Sequence, residues 1–202
     1  MSPVRELFSE LIALWSEQGS PFGRHLPPGA SNAQLDWAEE RLGFPLSEEI
    51  RDWYGAHDGF FNPKSAKDRP PIWPCGDLPG DIISAVQDHF DSRALAEKLT
   101  TDTGVDLFRY SPTWITLVKP GKSTLVADSA AAAHGPAAPI HKIPWDGPEE
   151  WSSIQLPSIT ALLQAWLQLT RDGSLRFDQE TLYWHVQHEA IPPELRLPGV
   201  TY

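Results

Sequence analysis

The sequence predicts an α+β fold: a central antiparallel β-sheet flanked by helices, followed by a C-terminal extension. Three observations carry that expectation. Amphipathic segments with helical spacing gather toward both ends of the chain, and a β-branched apolar run lies between them. Strands and helices do not alternate as they would around a parallel sheet. The length, 202 residues, suits one domain with an embellishment. The expected division is a domain over residues 1–173, with its core at about 30–173 and an N-terminal helix at 2–18. Residues 174–202 then form an extension packed on that domain.

The elements follow in order. Ser2 caps a first helix with Pro3 at its start, Val4, Leu7, Phe8, Leu11, Ile12, Leu14 and Trp15 recur at three- and four-residue spacing, and Gly19 stops it. A connector rich in proline and glycine runs to Gly29. Ser31 and Gln34 make a capping box for a second helix with Leu35, Ala38 and Leu42 as its buried stripe and Gly43 at its end. After the elbow Phe44-Pro45-Leu46, Ser47 caps a third helix. Glu48 and Glu49 stand in its first turn, where carboxylates complement the helix dipole, and Asp58-Gly59 closes it.

The stretch from Phe60 to Gly80 reads as loop, and a further helix is expected between about Asp81 and Leu99. Trp114–Val118 and Thr124–Ala127 are β-branched and apolar on either side of Lys119-Pro-Gly-Lys-Ser123, which reads as a hairpin. Pro139–Ile143 supplies a third antiparallel strand. Ser158 starts a last helix through Ile159, Leu162, Leu163, Trp166, Leu167 and Leu169 to Gly173, and the tail is expected to pack irregularly on the body.

Composition narrows the function classes. An apolar fraction of 41% is ample for a core and argues against disorder. Sixteen basic and 27 acidic residues give a net charge of −11, a poor match for gripping phosphates, so no direct nucleic-acid binding is expected. A lone Cys75 forms no internal disulfide. Neither a leader pattern nor a membrane-length apolar run is apparent, so a cytoplasmic protein without membrane contact is expected.

Motifs for chemistry fail one by one. Pro120-Gly-Lys-Ser-Thr124 lacks the upstream glycine of a phosphate loop, Thr standing at 116, and it leads into a strand. His185-Val-Gln-His188 does not have the order of a metalloprotease helix, and ordinary histidines explain it, so no metal is expected. Cys75 matches no cysteine-hydrolase signature, and no Gly-x-Ser-x-Gly elbow occurs. Carboxylate pairs such as Glu39-Glu40 and Glu48-Glu49 fall on polar helix faces or at helix starts, where solvation explains them. Between Ser31 and Gly59, seven acids face two arginines, either a solvated face or a patch that steers a basic partner. Trp15, Trp53 and Trp166 fit core stripes. Trp73, Trp145, Trp151 and Trp184 lie in loop or tail contexts and serve either an interface or the clamping of loops.

The segment Ser31–Gly59 resembles the opening of the SUKH superfamily, the family of the yeast cell-wall-assembly regulator Smi-one/Knr-four and of many bacterial immunity proteins. The matching features are the capped helix with Glu39 and Leu42-Gly43, then Leu46, then a helix closing on Asp58-Gly59. Downstream, Trp114, Asp128 and Gly135 stand where the family has a Trp opening a strand, an acid ending the next strand, and a glycine beyond it. Ser158–Gly173 stands for the closing helix. The resemblance covers roughly residues 30–173. Ser47 departs from the usual Leu-Pro, the connection from Phe60 to Pro112 is long, and the tail has no counterpart.

The resemblance implies binding rather than catalysis. It points to an immunity protein neutralising a toxin, such as a nuclease, of a polymorphic or contact-dependent system. The alternative is a regulatory scaffold of the cell-wall-assembly type. No cofactor is implied. The expected surface is the cleft between the sheet and the Phe60–Gly80 loop, with Asp58, Trp73, Asp77, Trp114 and Asp128 as partner-binding candidates; Trp114 and Asp128 alternatively serve as fold determinants of the hairpin.

Overall fold

The computed structural model describes residues 2–59, 80–103, 110–118, 123–130, 135–144, 154–181 and 183–187. The fold is α+β, with helices packed around small antiparallel sheets. The helices are α1 (Pro3–Glu17), α2 (Asn32–Leu42), α3 (Glu48–Ala56), α4 (Ile82–Thr103) and α5 (Ile159–Arg171), and Phe22–His25 forms a 3₁₀ turn. Strands β1 (Trp114–Val118), β2 (Ser123–Asp128), β3 (Ile140–Pro144) and β4 (Ile154–Leu156) form a four-stranded antiparallel sheet in sequence order. Strands β5 (Leu175–Asp178) and β6 (Tyr183–Val186) form a separate hairpin.

The helix ends are set locally. Ser2, Ser31, Ser47 and Ser158 each accept a first-turn amide through the hydroxyl, and at Ser31 the reciprocal bond from Gln34 completes the capping box. Gly43 and Gly59 take the positive φ angles, 79° and 84°, that an L side chain resists. Helix α4 runs four residues beyond the expected end, and β4 was not foreseen in the sequence pattern.

Alternation along the strands sends side chains to two different clusters. Ile115, Leu117, Leu125, Ala127 and Ile140 face the principal core, together with Phe8, Leu11, Trp15, Trp53 and the apolar stripe of α5. Trp114, Val126 and Ile143 face the other way, into a smaller cluster closed by Ala96, Leu99 and Tyr110. Helix α4 serves both, because Ile82, Ala85 and Val86 enter the principal core. A β-bulge between Thr116 and Val118 interrupts the β1–β2 ladder, and the Thr116 carbonyl accepts the Tyr54 hydroxyl, fixing α3 to β1.

The tail corrects one expectation. Leu175–Asp178 and Tyr183–Val186 are not irregular: they pair as β5 and β6, with Phe177 opposite Trp184. The hairpin is fastened to the C-terminal end of α1, where Gln18 Oε1 accepts the Phe177 amide at 3.0 Å and the Gln18 carbonyl accepts from Gln179 at 2.9 Å. Trp184 packs on Trp15 with ring centroids 4.8 Å apart. The reason is that Leu175 and Phe177 both point inward, giving a four-residue strand one buried edge. At its turn, the Asp178 carboxyl is held low, at about 2, by the Glu180 amide, with His185 and Thr181 adding to it.

Candidate partner-binding site

The helix–elbow–helix of α2 and α3 is where the sequence concentrates acids, and the structure assigns most of them internal work. Arg51 on α3 bridges back to Asp36 at 2.8 Å and Glu39 at 2.9 Å on α2, so one cation binds two carboxylates across the pair. Those bonds hold the Arg51 pKa above its ordinary value. Glu39 also accepts the Leu46 amide at 2.9 Å, which closes the elbow. Asp52 pairs with Arg5 of α1 at 3.0 Å.

Glu49 departs furthest from its expected role. It is buried rather than solvated, and its carboxylate accepts from Ala138 N at 2.8 Å, Ile159 N at 3.0 Å and Thr160 N at 3.1 Å, and from the Thr160 hydroxyl. A carboxylate on α3 therefore receives the free amides at the start of α5, where the helix dipole also favours it. Of the seven acids from Ser31 to Gly59, Glu40 and Glu48 are those that stand exposed without such a role in the described structure.

Asp58 is a latch between helices. One carboxylate oxygen accepts the Ile82 amide at 2.8 Å, at the start of α4, and the other accepts Gln34 Nε2 at 3.3 Å, from the capping box of α2. Partial burial pushes its pKa up, opposed by the bond from Ile82. Its neighbour His57 is fully buried, stacked on Phe8 at 4.6 Å and edge-on to Trp53 at 4.7 Å. Neither ring nitrogen reaches a partner with hydrogen-bond geometry, and burial lowers its pKa to about 4, the nearby Gly59 backbone opposing part of that shift. A general base needs access to a substrate proton, and a ring sealed under Phe8 and Trp53 has none.

Trp114 and Asp128 are directly opposite one another in the β1–β2 ladder. Trp114 is 6% exposed, stacked against His141 at 4.7 Å and edge-on to Tyr110 at 5.7 Å. Its carbonyl accepts from Tyr110 at 3.2 Å and lies 2.8 Å from His89 Nδ1, which ties α4 to β1. Asp128 accepts the Thr113 hydroxyl at 2.7 Å and the Ala130 amide at 2.8 Å, and so holds the ends of the two strands together. Burial lowers the pKa of both His89 and His141; Trp114's carbonyl opposes this at His89, and the charge of Asp128 opposes it at His141.

The expected surface residues thus separate. Asp58 sits at the start of α4, and Trp114 is reached through His89 two turns further along. Trp73, Asp77 and Cys75 lie outside the described residues, as does the loop that was to form one wall of the cleft. His185 lies on a strand rather than a helix, bonded to Asp178 at 3.0 Å, which removes the shared helical face a His185–His188 pair would need. No group of three or more metal-ligating side chains occurs among the described residues. No described helix is long and apolar enough to cross a membrane.

Sequence reasoning passed over Trp37. It lies off the Leu35–Ala38–Leu42 stripe of α2 and is 42% exposed, beside Glu40 and Arg41 in a surface recess of about 440 Å³. The available signal was its position: an indole outside a helix's apolar stripe has no place in that helix's core. Compared with protein-family models and with characterised proteins, the chain gives no match to either.

Proposed function

We propose that this chain is a non-enzymatic protein-binding module of the SUKH type, an immunity protein that neutralises a basic toxin domain such as a nuclease. The observation that carries the reading is the register of β1 and β2, in which Trp114, opening one strand, stands opposite Asp128, closing the next. That is the arrangement the resemblance leads one to expect of its Trp and its acid. It is accompanied by the capping box at Ser31, the left-handed Gly43, the close of α3 before Asp58-Gly59 and the final helix α5.

A net charge of −11 supports a basic partner. Carboxylates on the inhibitor take the position of substrate phosphates in a cationic cleft, and the long-range field speeds encounter. The test is to mix the purified full chain with the product of the neighbouring gene and to follow both affinity and toxin activity. Stoichiometric binding is expected, with loss of toxin activity and association rates that fall as salt rises. A neighbouring product that keeps its activity and does not bind overturns the immunity reading. Tight binding to a non-toxic cellular protein instead favours the scaffold alternative.

A further inference from the structure

We propose that His89 and His141, sealed on either side of Trp114, form an acid-operated catch that lets the second half of α4 lift from the sheet while the principal core stays folded. The inference concerns the fold itself and does not depend on the identity of a partner. His89 Nδ1 lies 2.8 Å from the Trp114 carbonyl, which can only accept, so Nδ1 carries the proton and Nε2 is the basic atom. That Nε2 is buried without a hydrogen-bond partner, among Phe44, Phe90 and Tyr110 with ring centroids at 5.6, 5.3 and 5.7 Å. Across Trp114, the indole stacks on His141 at 4.7 Å, and both His141 nitrogens are likewise buried and unpartnered. A proton taken up by either ring creates a charged N–H with no acceptor at hydrogen-bond distance, whereas water supplies one once the ring is uncovered.

The division of α4 decides what moves. Ile82, Ala85 and Val86 enter the principal core, and the Ile82 amide is held by Asp58. His89 is the last buried residue among those described in the helix. From Phe90 to Asp102 every side chain is exposed or half-buried, with Ala96 and Leu99 resting on the small cluster of Trp114, Val126 and Ile143. A segment with so few buried contacts opens at far smaller cost than the core. The tie from His89 to Trp114 therefore marks the hinge. Lifting the helix beyond it bares Tyr110 and Trp114 and brings water to both imidazoles.

The charges around the pair are few among the described residues. On α4, His89 has Asp88 beside it and Arg93 one turn along, which disfavours a second positive charge and itself lies 3.7 Å from Glu97. Tyr110 brings a phenol that donates to the same Trp114 carbonyl at 3.2 Å, α2 brings Arg41 by way of Phe90, and β1 brings no ionisable side chain. For His141, β2 brings Asp128, whose charge draws a proton toward the ring, β4 brings none, and Lys142 alternates to the other face of β3. Burial outweighs Asp128, and both imidazoles are held below the ordinary 6.5. Because the closed pKa values lie below the open ones, the closed form is fully favoured above about pH 6.5 and loses ground as the pH falls.

The experiment follows hydrogen exchange of the full chain by mass spectrometry at about pH 7.5 and about pH 5, corrected for the intrinsic effect of pH on exchange. Between the two, protection of residues 90–103 should fall at least about tenfold, while α5 in the same sample stays protected. His89→Asn keeps a donor for Trp114 and His141→Phe keeps the stack, and neither replacement titrates. The double variant should therefore hold the protection of 90–103 within about twofold across the same range. His57→Phe, packed on Phe8 away from the catch, should leave the loss in place. Protection of 90–103 unchanged in acid, α5 exposed at the same pH as 90–103, or a double variant that opens as the parent does overturns the proposal. Should the double variant fail to fold, the imidazole resonances of the parent decide. Rings at 89 and 141 that take up protons only as 90–103 opens uphold the catch, and rings that do so with 90–103 still protected overturn it.

Discussion

The carboxylate of Glu49, on α3, receives the amide of Ile159 at 3.0 Å, the first residue of α5 and 110 positions further along the chain. With Ala138 and Thr160 bonded to the same side chain, three segments meet on one acid. Replacing Glu49 by Ala strands several buried amides at once. The expected loss is about 3–4 kcal/mol, with a smaller loss of about 1–2 kcal/mol for Glu49→Gln, which keeps one acceptor oxygen. Urea unfolding of the two variants measures this. An alanine variant within 1 kcal/mol of the parent would refute the role.

His57 makes the fold sensitive to mild acid. Its folded pKa, about 4, lies below the ordinary 6.5, so between those values the unfolded chain binds a proton that the folded chain refuses. Stability from this group is complete above about pH 6.5 and is lost as the pH falls toward 4, by about 3 kcal/mol in all. His89 and His141, also lowered, act in the same direction, whereas the raised Asp58 acts in the opposite one at lower pH. His57→Phe keeps the stack with Phe8 and should flatten the stability profile from pH 6.5 to 4. Thermal melts across that range decide it, and an unchanged slope counts against this assignment.

Trp114 and Asp128 are expected to act on stability rather than on a partner directly. Truncating the buried indole with Trp114→Ala should cost about 3–5 kcal/mol. A single oxygen, Asp128 Oδ1, accepts both the Thr113 hydroxyl and the Ala130 amide, so Asp128→Asn keeps the acceptor and loses only its charge, and should cost about 0.5–1 kcal/mol. Denaturant curves combined with a binding assay separate the two roles. A fully stable Asp128→Asn that has lost its partner would make that side chain a binding residue after all.

The terminal hairpin is expected to be part of the cooperative unit. Trp184 bridges Trp15 and Phe177, with centroids at 4.8 Å and 5.3 Å. Trp184→Ala should destabilise the chain by about 2–3 kcal/mol and uncover the otherwise buried Trp15. Calorimetry should register a single lowered transition. A separate early transition, with the main one unmoved, would show that the hairpin folds apart from the body.

What the sequence made legible is what neighbours in the chain decide. The capping box at Ser31, the glycine stops and the paired β-branched runs depend on residues a few positions apart, and each appears where its pattern stands. Glu49 reads as solvated in the sequence because its position in a first turn accounts for an acid locally, while its donors are Ala138, Ile159 and Thr160. The same limit applies to His57, whose burial is created by Phe8 on another helix. The β5–β6 hairpin escaped notice because a strand of four residues carries too little alternation to stand out. Trp37 needed no distant information, only attention to which residues the apolar stripe of α2 leaves out.

The sheet runs β1-β2-β3-β4 in sequence order, so every strand pairs with its neighbour in the chain. The bond from Trp15 Nε1 to the Thr170 hydroxyl, at 3.1 Å, instead spans 155 positions. Closing so long a loop carries an entropic cost that the meander avoids, which orders events in time. The meander should form before the rate-limiting barrier, and the two chain ends should dock after it. Thr170→Val should therefore speed unfolding and leave the refolding limb of the chevron nearly unmoved, making the α1–α5 contact the clasp that governs how long the native state lasts.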